Sequence, residues 1–309
     1  MAENGSQKEL PRLMLVGASG QLGYDVSRVF APFYEVVGFS SRELDLARPE
    51  TVAGTVLDLR PEVIVNAAAH TRVDDCENEV EKAFLINAEG PARLAAAAAE
   101  CGSRLVQIST DYVFAGDRRL PDGYCEADPV GPVSVYGRSK LAGEEAAARA
   151  GCRLTIVRTA WLYGIHGRNF LKTMLRLALA DPEREIRVVD DQVGCPTWSE
   201  TLARQLRVLV EADAEGIFHA VAGEATTWYG LARAFLELMQ VEHRLAPCTS
   251  AEYPTPARRP ANSILLNRRL AEENLLVMRP WREDLAVFVG RYREKLLEEA
   301  RAELGKQHV

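Results

Sequence analysis

The chain has 309 residues, 47% hydrophobic and 26% charged, values of a globular protein with room for one large domain or a major and a minor one. Its 44 acidic residues against 37 basic ones leave a net charge of −7, which argues against nucleic-acid and anionic-membrane roles. No apolar run approaches the ~20 residues of a membrane span, and six cysteines without Cys-x-x-Cys spacing suggest neither a zinc site nor a disulfide framework.

Residues 1–11 are polar, lack the apolar core of a signal peptide and read as a disordered leader, so the expected setting is the cytoplasm. A strand over Arg12–Val16 then feeds the turn Gly17-Ala18-Ser19-Gly20-Gln21-Leu22-Gly23 and a helix to about Ala31. Glycines so placed let backbone approach a pyrophosphate at a helix N-terminus, although three glycines alone are a weak signal. Tyr34–Phe39 reads as a second strand, whose end meets the adenosine ribose in a dinucleotide fold. Here that end is Ser40-Ser41-Arg42, polar with one cation, next to Glu43. A 2′-phosphate contact and an ordinary polar turn fit it equally.

Asp45-Leu46 precede a helix over Pro49–Leu59, ended by Pro61. Val63–Val65 is a fully apolar strand running into Asn66-Ala67-Ala68-Ala69-His70-Thr71, small residues that leave room for a ligand across the sheet edge. His70 has no supporting neighbour as a base and reads as a backbone or packing residue. Helices over about 80–87 and 91–101 lead to the strand Arg104–Ser109 and Thr110-Asp111-Tyr112-Val113-Phe114, and a Gly/Pro/Asp loop spans 115–135.

Tyr136-Gly137-Arg138-Ser139-Lys140 follows, opening an Ala/Glu-rich helical stretch. Spaced by four, Tyr136 and Lys140 share one helix face. A phenol of pKa ~10 needs a nearby cation to become a useful acid–base group at neutral pH, and Lys140 is placed to supply it. Alternating strands and helices up to Leu154–Arg158 imply a Rossmann-type, doubly wound parallel sheet with a crevice at its carboxyl edge. After Trp161 the alternation loosens. Residues 12–165 are therefore assigned mainly to a dinucleotide-binding domain. Residues 166–309 form mainly a smaller C-terminal substrate-binding lobe, with helices at 170–179, 200–210, 227–239 and 282–304 and segments returning to the main sheet.

A glycine turn, a strand-end Thr and a Tyr-x-x-x-Lys helix, in that order, resemble the extended short-chain dehydrogenase/reductases. Further segments are similar to the dTDP-4-dehydrorhamnose reductase family: Ser109–Phe114, Arg158–Gly164, Asn169–Met174, Asp190–Thr197 and Tyr253–Ser263. The likeness runs from about Leu13 to Trp281, with Ala160 where many relatives carry Ser. It implies NADPH- or NADH-dependent reduction of the C4 ketone of a dTDP-4-keto-6-deoxy sugar. Thr110, Tyr136 and Lys140 would then be catalytic. Gly17, Gly20, Gln21, Leu22, Gly23, Ser40, Arg42, Asp45, Leu46, Ala69, His70, Thr71, Tyr136 and Lys140 would hold the cofactor. Thr110, Asp111, Trp161, Asn169, Lys172, Arg258, Arg259 and Asn262 would face the substrate. Thr110-Asp111-Tyr112 lacks the Glu of sugar-nucleotide dehydratases. Three alternatives stay open: a 4-epimerase, a reductase for another ketosugar such as the dihydrostreptose precursor, and a regulatory subunit like methionine adenosyltransferase β. Some relatives dimerise through acids bridging Mg2+. Asp25 and Glu200 fall near those places, but no third acid is matched, so no metal ligand is assigned and a homodimer stays open.

Overall fold

The computed structural model describes residues 10–306; most of the expected leader lies outside them. Six parallel strands form the central sheet. β1 (Arg12–Val16) lies between β2 (Glu35–Phe39) and β3 (Val63–Asn66), and β4 (Arg104–Thr110), β5 (Arg153–Thr159) and Gly216–His219 follow beyond β3. Leu13 registers with Val36 on one side and Val63 on the other. Chain direction across the sheet therefore reverses at β1 and β3, and their carboxyl ends open the crevice where such folds take ligands.

β1 and β3 read as near-continuous apolar runs because both faces are covered. In β1, Leu13 and Leu15 pack with Leu22, Val26 and Phe30 of α1 (Gln21–Phe30) and with Leu202, Leu206 and Leu209. Met14 and Val16 point the opposite way, into a core with Val52 and Val56 of α2 (Pro49–Leu59), Leu94 and Leu105. Burying a side chain the size of Phe30 contributes about 1.5–3 kcal/mol. A second core gathers Tyr163, Leu171, Trp198, Phe235, Trp281 and Phe288 from the later helices, including the 26-residue helix Trp281–Lys306.

The expected helix over 80–87 is instead a helix at Val73–Asn78, a short helix at Val80–Phe84 and a π-type turn at Leu85–Glu89, running into the helix Gly90–Cys101. The wide turn puts Asn87 inside, against the Tyr136 helix, which no periodicity reveals. Gly216–His219 forms the sixth strand, paired with β5 at the edge of the main sheet. Its neighbouring helix Ser199–Glu211 packs on α1, so chain from beyond residue 165 completes the central core. No described helix is long and apolar enough to cross a membrane.

Candidate active site

Gly17 directly follows β1 with φ +83°, and a Cβ there would sit 2.7 Å from the backbone N of Ala68, beyond β3. Only glycine lets the two strand ends approach so closely. Gly20 is the N-cap of α1 and supplies no side-chain cap. The first-turn N–H groups of α1 are therefore available to an anion, which fits the pyrophosphate of a dinucleotide. Leu22 is buried in the core below the turn, a Cβ on Gly23 would meet the Gly17 carbonyl at 2.1 Å, and Gln21 accepts a hydrogen bond from Asn169. At the end of β2, the Glu43 carboxylate folds back to accept from the Ser40 backbone N (2.8 Å) and hydroxyl (2.7 Å), while Arg42 is exposed. Asp45 caps its own turn through Ala47, and Leu46 is buried against Gly90.

Beyond β3, Ala69 is half-buried and Thr71 exposed. The His70 backbone is gripped on both sides by Asn87, whose amide also donates to Ser139 of the helix Val135–Arg149 at 3.0 Å. The His70 imidazole is 3.0 Å from Glu79. Asn87 thus ties the crevice to the Tyr136 helix. Sequence reasoning missed it, because nothing local marks one Asn within the stretch Leu85-Ile86-Asn87-Ala88 as a partner of two distant segments.

Ser134, the residue directly before the Tyr136 helix, caps it by accepting from Gly137 N at 3.1 Å. A Cβ on Gly137 would lie 2.2 Å from the Tyr112 carbonyl, so its absence lets the helix pack on the end of β4. There Tyr136, 9% exposed, meets the Tyr112 ring edge-on at 5.5 Å. Burial pushes the Tyr136 phenol well above its ordinary value; a hydrogen bond with Thr110 opposes this and the Asp111 carboxylate adds to it. The net direction is opposite to the one expected from a neighbouring lysine. Lys140, itself 3% exposed, directs its ammonium to the Ile108 carbonyl at 2.6 Å. Burial lowers Lys140 to about 8, with Glu144 pulling it back up.

Thr110 donates to Asp111 Oδ1 at 2.9 Å and accepts from Tyr112 N at 3.2 Å. Burial raises the Asp111 carboxyl to about 6, offset in part by the Ser263 and Thr110 hydroxyls, and its Oδ2 has no hydrogen-bond partner. A buried, under-satisfied acceptor at the mouth of a site is suited to a hydroxyl-bearing ligand. Trp161 stands in the left-handed region with φ +47°, its indole stacked on Trp228 at 3.6 Å. Thr110, Asp111, Tyr136 and Lys140 are thus brought together, with Trp161 in the core patch adjoining Val113 and Phe114.

The remaining substrate candidates are differently placed. Asn169 caps the helix Phe170–Ala180 and bonds Gln21 and the Gly164 carbonyl. Lys172 binds the Ile165 carbonyl and Glu299. Asn262 donates to the Arg118 and Asp122 carbonyls. Their polar groups hold the scaffold. Arg259 is paired with Asp74, whereas Arg258 is exposed. Asp25 and Glu200 do converge, but Glu200 binds Arg204 and Arg291, and Asp25 accepts from Ser199 and Arg28. Burial would raise Glu200, yet Arg291 and Arg204 outweigh it and hold the carboxyl low. No group of three or more His, Cys, Asp or Glu suited to a metal occurs among the described residues.

A parallel sheet with a glycine cradle, and a Tyr–Lys helix facing a strand-end Thr, define a nicotinamide-dependent oxidoreductase of the extended short-chain dehydrogenase/reductase type. The RmlD substrate binding domain model matches residues 11–294. A dTDP-4-dehydrorhamnose reductase from Burkholderia thailandensis is 39% identical over 288 residues, covering 88% of this chain and 95% of that protein. The crystal structure of the dTDP-4-dehydrorhamnose reductase of Bacillus anthracis in complex with NADP superposes with a TM-score of 0.87 at 35% identity, covering 91% and 99% of the two chains. A probable dTDP-4,6-dihydroxy-2-methyloxan-3-one 4-ketoreductase from Streptomyces antibioticus is 41% identical over 284 residues, covering 89% and 93%. The chain belongs to the dTDP-4-dehydrorhamnose reductase family.

Proposed function

We propose that this protein uses NADPH to reduce the C4 ketone of dTDP-6-deoxy-L-lyxo-4-hexulose (dTDP-4-dehydro-L-rhamnose), giving dTDP-L-rhamnose. The observation that carries the reading is the buried Tyr136 phenol beside Thr110 at the end of β4, one helix turn from the buried Lys140. The nicotinamide cofactor, when bound, supplies the hydride. The chain supplies the rest. Thr110 orients the ketone oxygen, Tyr136 gives it a proton, and Lys140 stabilises the phenolate left behind. Burial keeps the phenol protonated until a substrate accepts from it. Asp111 Oδ2 accepts from a sugar hydroxyl, and the exposed Arg258 pairs with the diphosphate. The reading is tested by supplying the dTDP-4-ketosugar with NADPH and identifying the product by NMR. A reduced 4-hydroxy sugar of rhamno configuration is expected, and no consumption of NADPH would end it. The likeness to the Streptomyces antibioticus ketoreductase favours one second reading, a different dTDP-4-ketosugar, which the same NMR experiment detects by product stereochemistry.

Cofactor choice rests on Arg42. Glu43 is spent on Ser40, so the exposed Arg42 is the charge left at the ribose end. NADPH is expected to be preferred over NADH. Arg42→Ala should lower kcat/KM for NADPH roughly tenfold and spare NADH, the size of one charge-assisted contact. Equal losses with both cofactors would leave Arg42 as a solvated turn residue.

The Lys140 value of about 8 carries a pH dependence. Above it the ammonium becomes a neutral amine and loses its grip on the nicotinamide ribose. kcat/KM for NADPH, which reports the free protein, should fall about tenfold per pH unit above pH ~8. A profile flat to pH 10 would show that Lys140 stays charged or plays no part.

A further inference from the structure

The short helix Val73–Asn78 begins two residues after Thr71, at the crevice end of β3, and carries two carboxylates that grip different parts of the site. Asp74 faces the later half of the chain. Its Oδ1 accepts from Arg259 Nη1 at 3.0 Å and from Ala257 N at 3.1 Å, and its Oδ2 accepts from Arg259 Nη2 at 2.7 Å. Glu77 faces the Tyr136 helix and accepts from Val135 N at 2.8 Å. That N–H belongs to the first helical turn, where a carboxylate also meets the positive end of the helix dipole.

We propose that Asp74 is a positioning residue for the reduction: by gripping Arg259 and Ala257 it holds the segment 253–263 beside Tyr112, which packs on Tyr136, while Glu77 holds the Tyr136 helix to the same short helix. An exposed ion pair is usually worth little. This one is a two-point fork with a backbone bond added, it joins residues 185 apart in sequence, and Ala257 beside it is 1% exposed. The far end of the segment reaches the chemistry. A Cβ on Gly116 would meet Pro260 at 2.1 Å, Asn262 N donates to the Gly116 carbonyl at 3.1 Å, and Ser263 lies near Asp111. Burial pushes the Tyr112 phenol up, the nearby Arg259 charge opposes this in part, and Tyr112 packs on Tyr136. Releasing Arg259 therefore loosens one wall of the site four residues from Ser263, without touching the glycine cradle. A misplacement of about 1 Å at such a wall is worth up to ~100-fold.

The inference rests on the reading of Tyr136 as the proton donor, and its test keeps the two apart. Asp74→Asn retains the shape and loses the charge. It should raise KM for the ketosugar about 10- to 100-fold and leave KM for NADPH within about twofold. Asp74→Ala with Arg259→Ala should be no worse than Arg259→Ala alone, because the pair acts as one unit. Amide hydrogen exchange should speed up in 253–263 and stay unchanged in β1 and α1. An unchanged ketosugar KM in Asp74→Asn beside a large loss in Arg259→Ala would overturn the proposal, leaving Arg259 to act on substrate by itself. So would faster exchange throughout the molecule, which marks a general folding defect. Should the wild-type protein turn over no ketosugar, the functional reading fails, while the exchange experiment still decides whether Asp74 holds the segment.

Discussion

Tyr136→Phe is expected to lower ketosugar reduction by about 10²–10⁴-fold and leave NADPH binding within a few-fold of wild type. The substitution deletes one oxygen from a side chain that is 9% exposed and keeps the ring that packs edge-on against Tyr112. Fold and cofactor cradle should survive, because the glycine turn and β1 make no use of that oxygen. The proton is what is lost. Thr110 is hydrogen-bonded to Asp111 and stays to orient the ketone, but an alcohol at neutral pH is a far weaker acid than a phenol. Asp111, near 6, is one acid able to substitute, and the Lys140 ammonium, near 8, is another whose contribution would not rise through pH 6. A residual rate that rises as pH falls through 6 would identify Asp111. Activity within a few-fold of wild type at pH 7, with NADPH binding measured by fluorescence titration, would remove Tyr136 from the mechanism.

The second large effect is on stability. Arg158 in β5 and Glu144 on the Tyr136 helix form a buried pair, 3% and 4% exposed at their side chains, with Nε at 3.0 Å from Oε1 and Nη2 at 2.7 Å from Oε2. Arg158 also sits over the Phe114 ring at 5.2 Å. Arg158→Met should cost about 3–5 kcal/mol in urea unfolding, since it strands a carboxylate where no water reaches. Replacing both residues, Glu144→Leu with Arg158→Met, should cost much less than the single change, because the charges then leave together. A single-variant loss below about 1 kcal/mol would show that the carboxylate finds water or a proton at little cost. The pair fastens the helix bearing Tyr136 and Lys140 to the sheet, so the single variant should also lose activity before it unfolds.

Read from the chain alone, the strand–turn–helix starts were legible because each has a local cause. β1 and β3 are apolar runs buried on both faces, Gly17 and Gly20 stand where backbone must turn sharply, and the four-residue spacing of Tyr136 and Lys140 shares a helix face whatever surrounds it. The family likeness was carried by short contiguous stretches, which also survive without a fold. Contacts between residues far apart were not legible. Asn169, Lys172 and Asn262 sit in motifs like those of substrate residues, yet their partners are Gln21, Glu299 and the Arg118 and Asp122 carbonyls. Arg258 and Arg259 are equivalent as a dipeptide. Asp74, 185 residues away, takes Arg259 and leaves Arg258 exposed. The direction of the Tyr136 shift was hidden for the same reason. Spacing placed an ammonium one turn away, but burial and the Asp111 charge depend on which surfaces close over the phenol, and the Lys140 ammonium is directed at Ile108. Local geometry and periodicity follow from neighbouring residues, so the sequence determined the class of fold and that Tyr136 and Lys140 share one helix face. Burial and charge pairing are sums over the whole folded surface, and only the tertiary structure decided those.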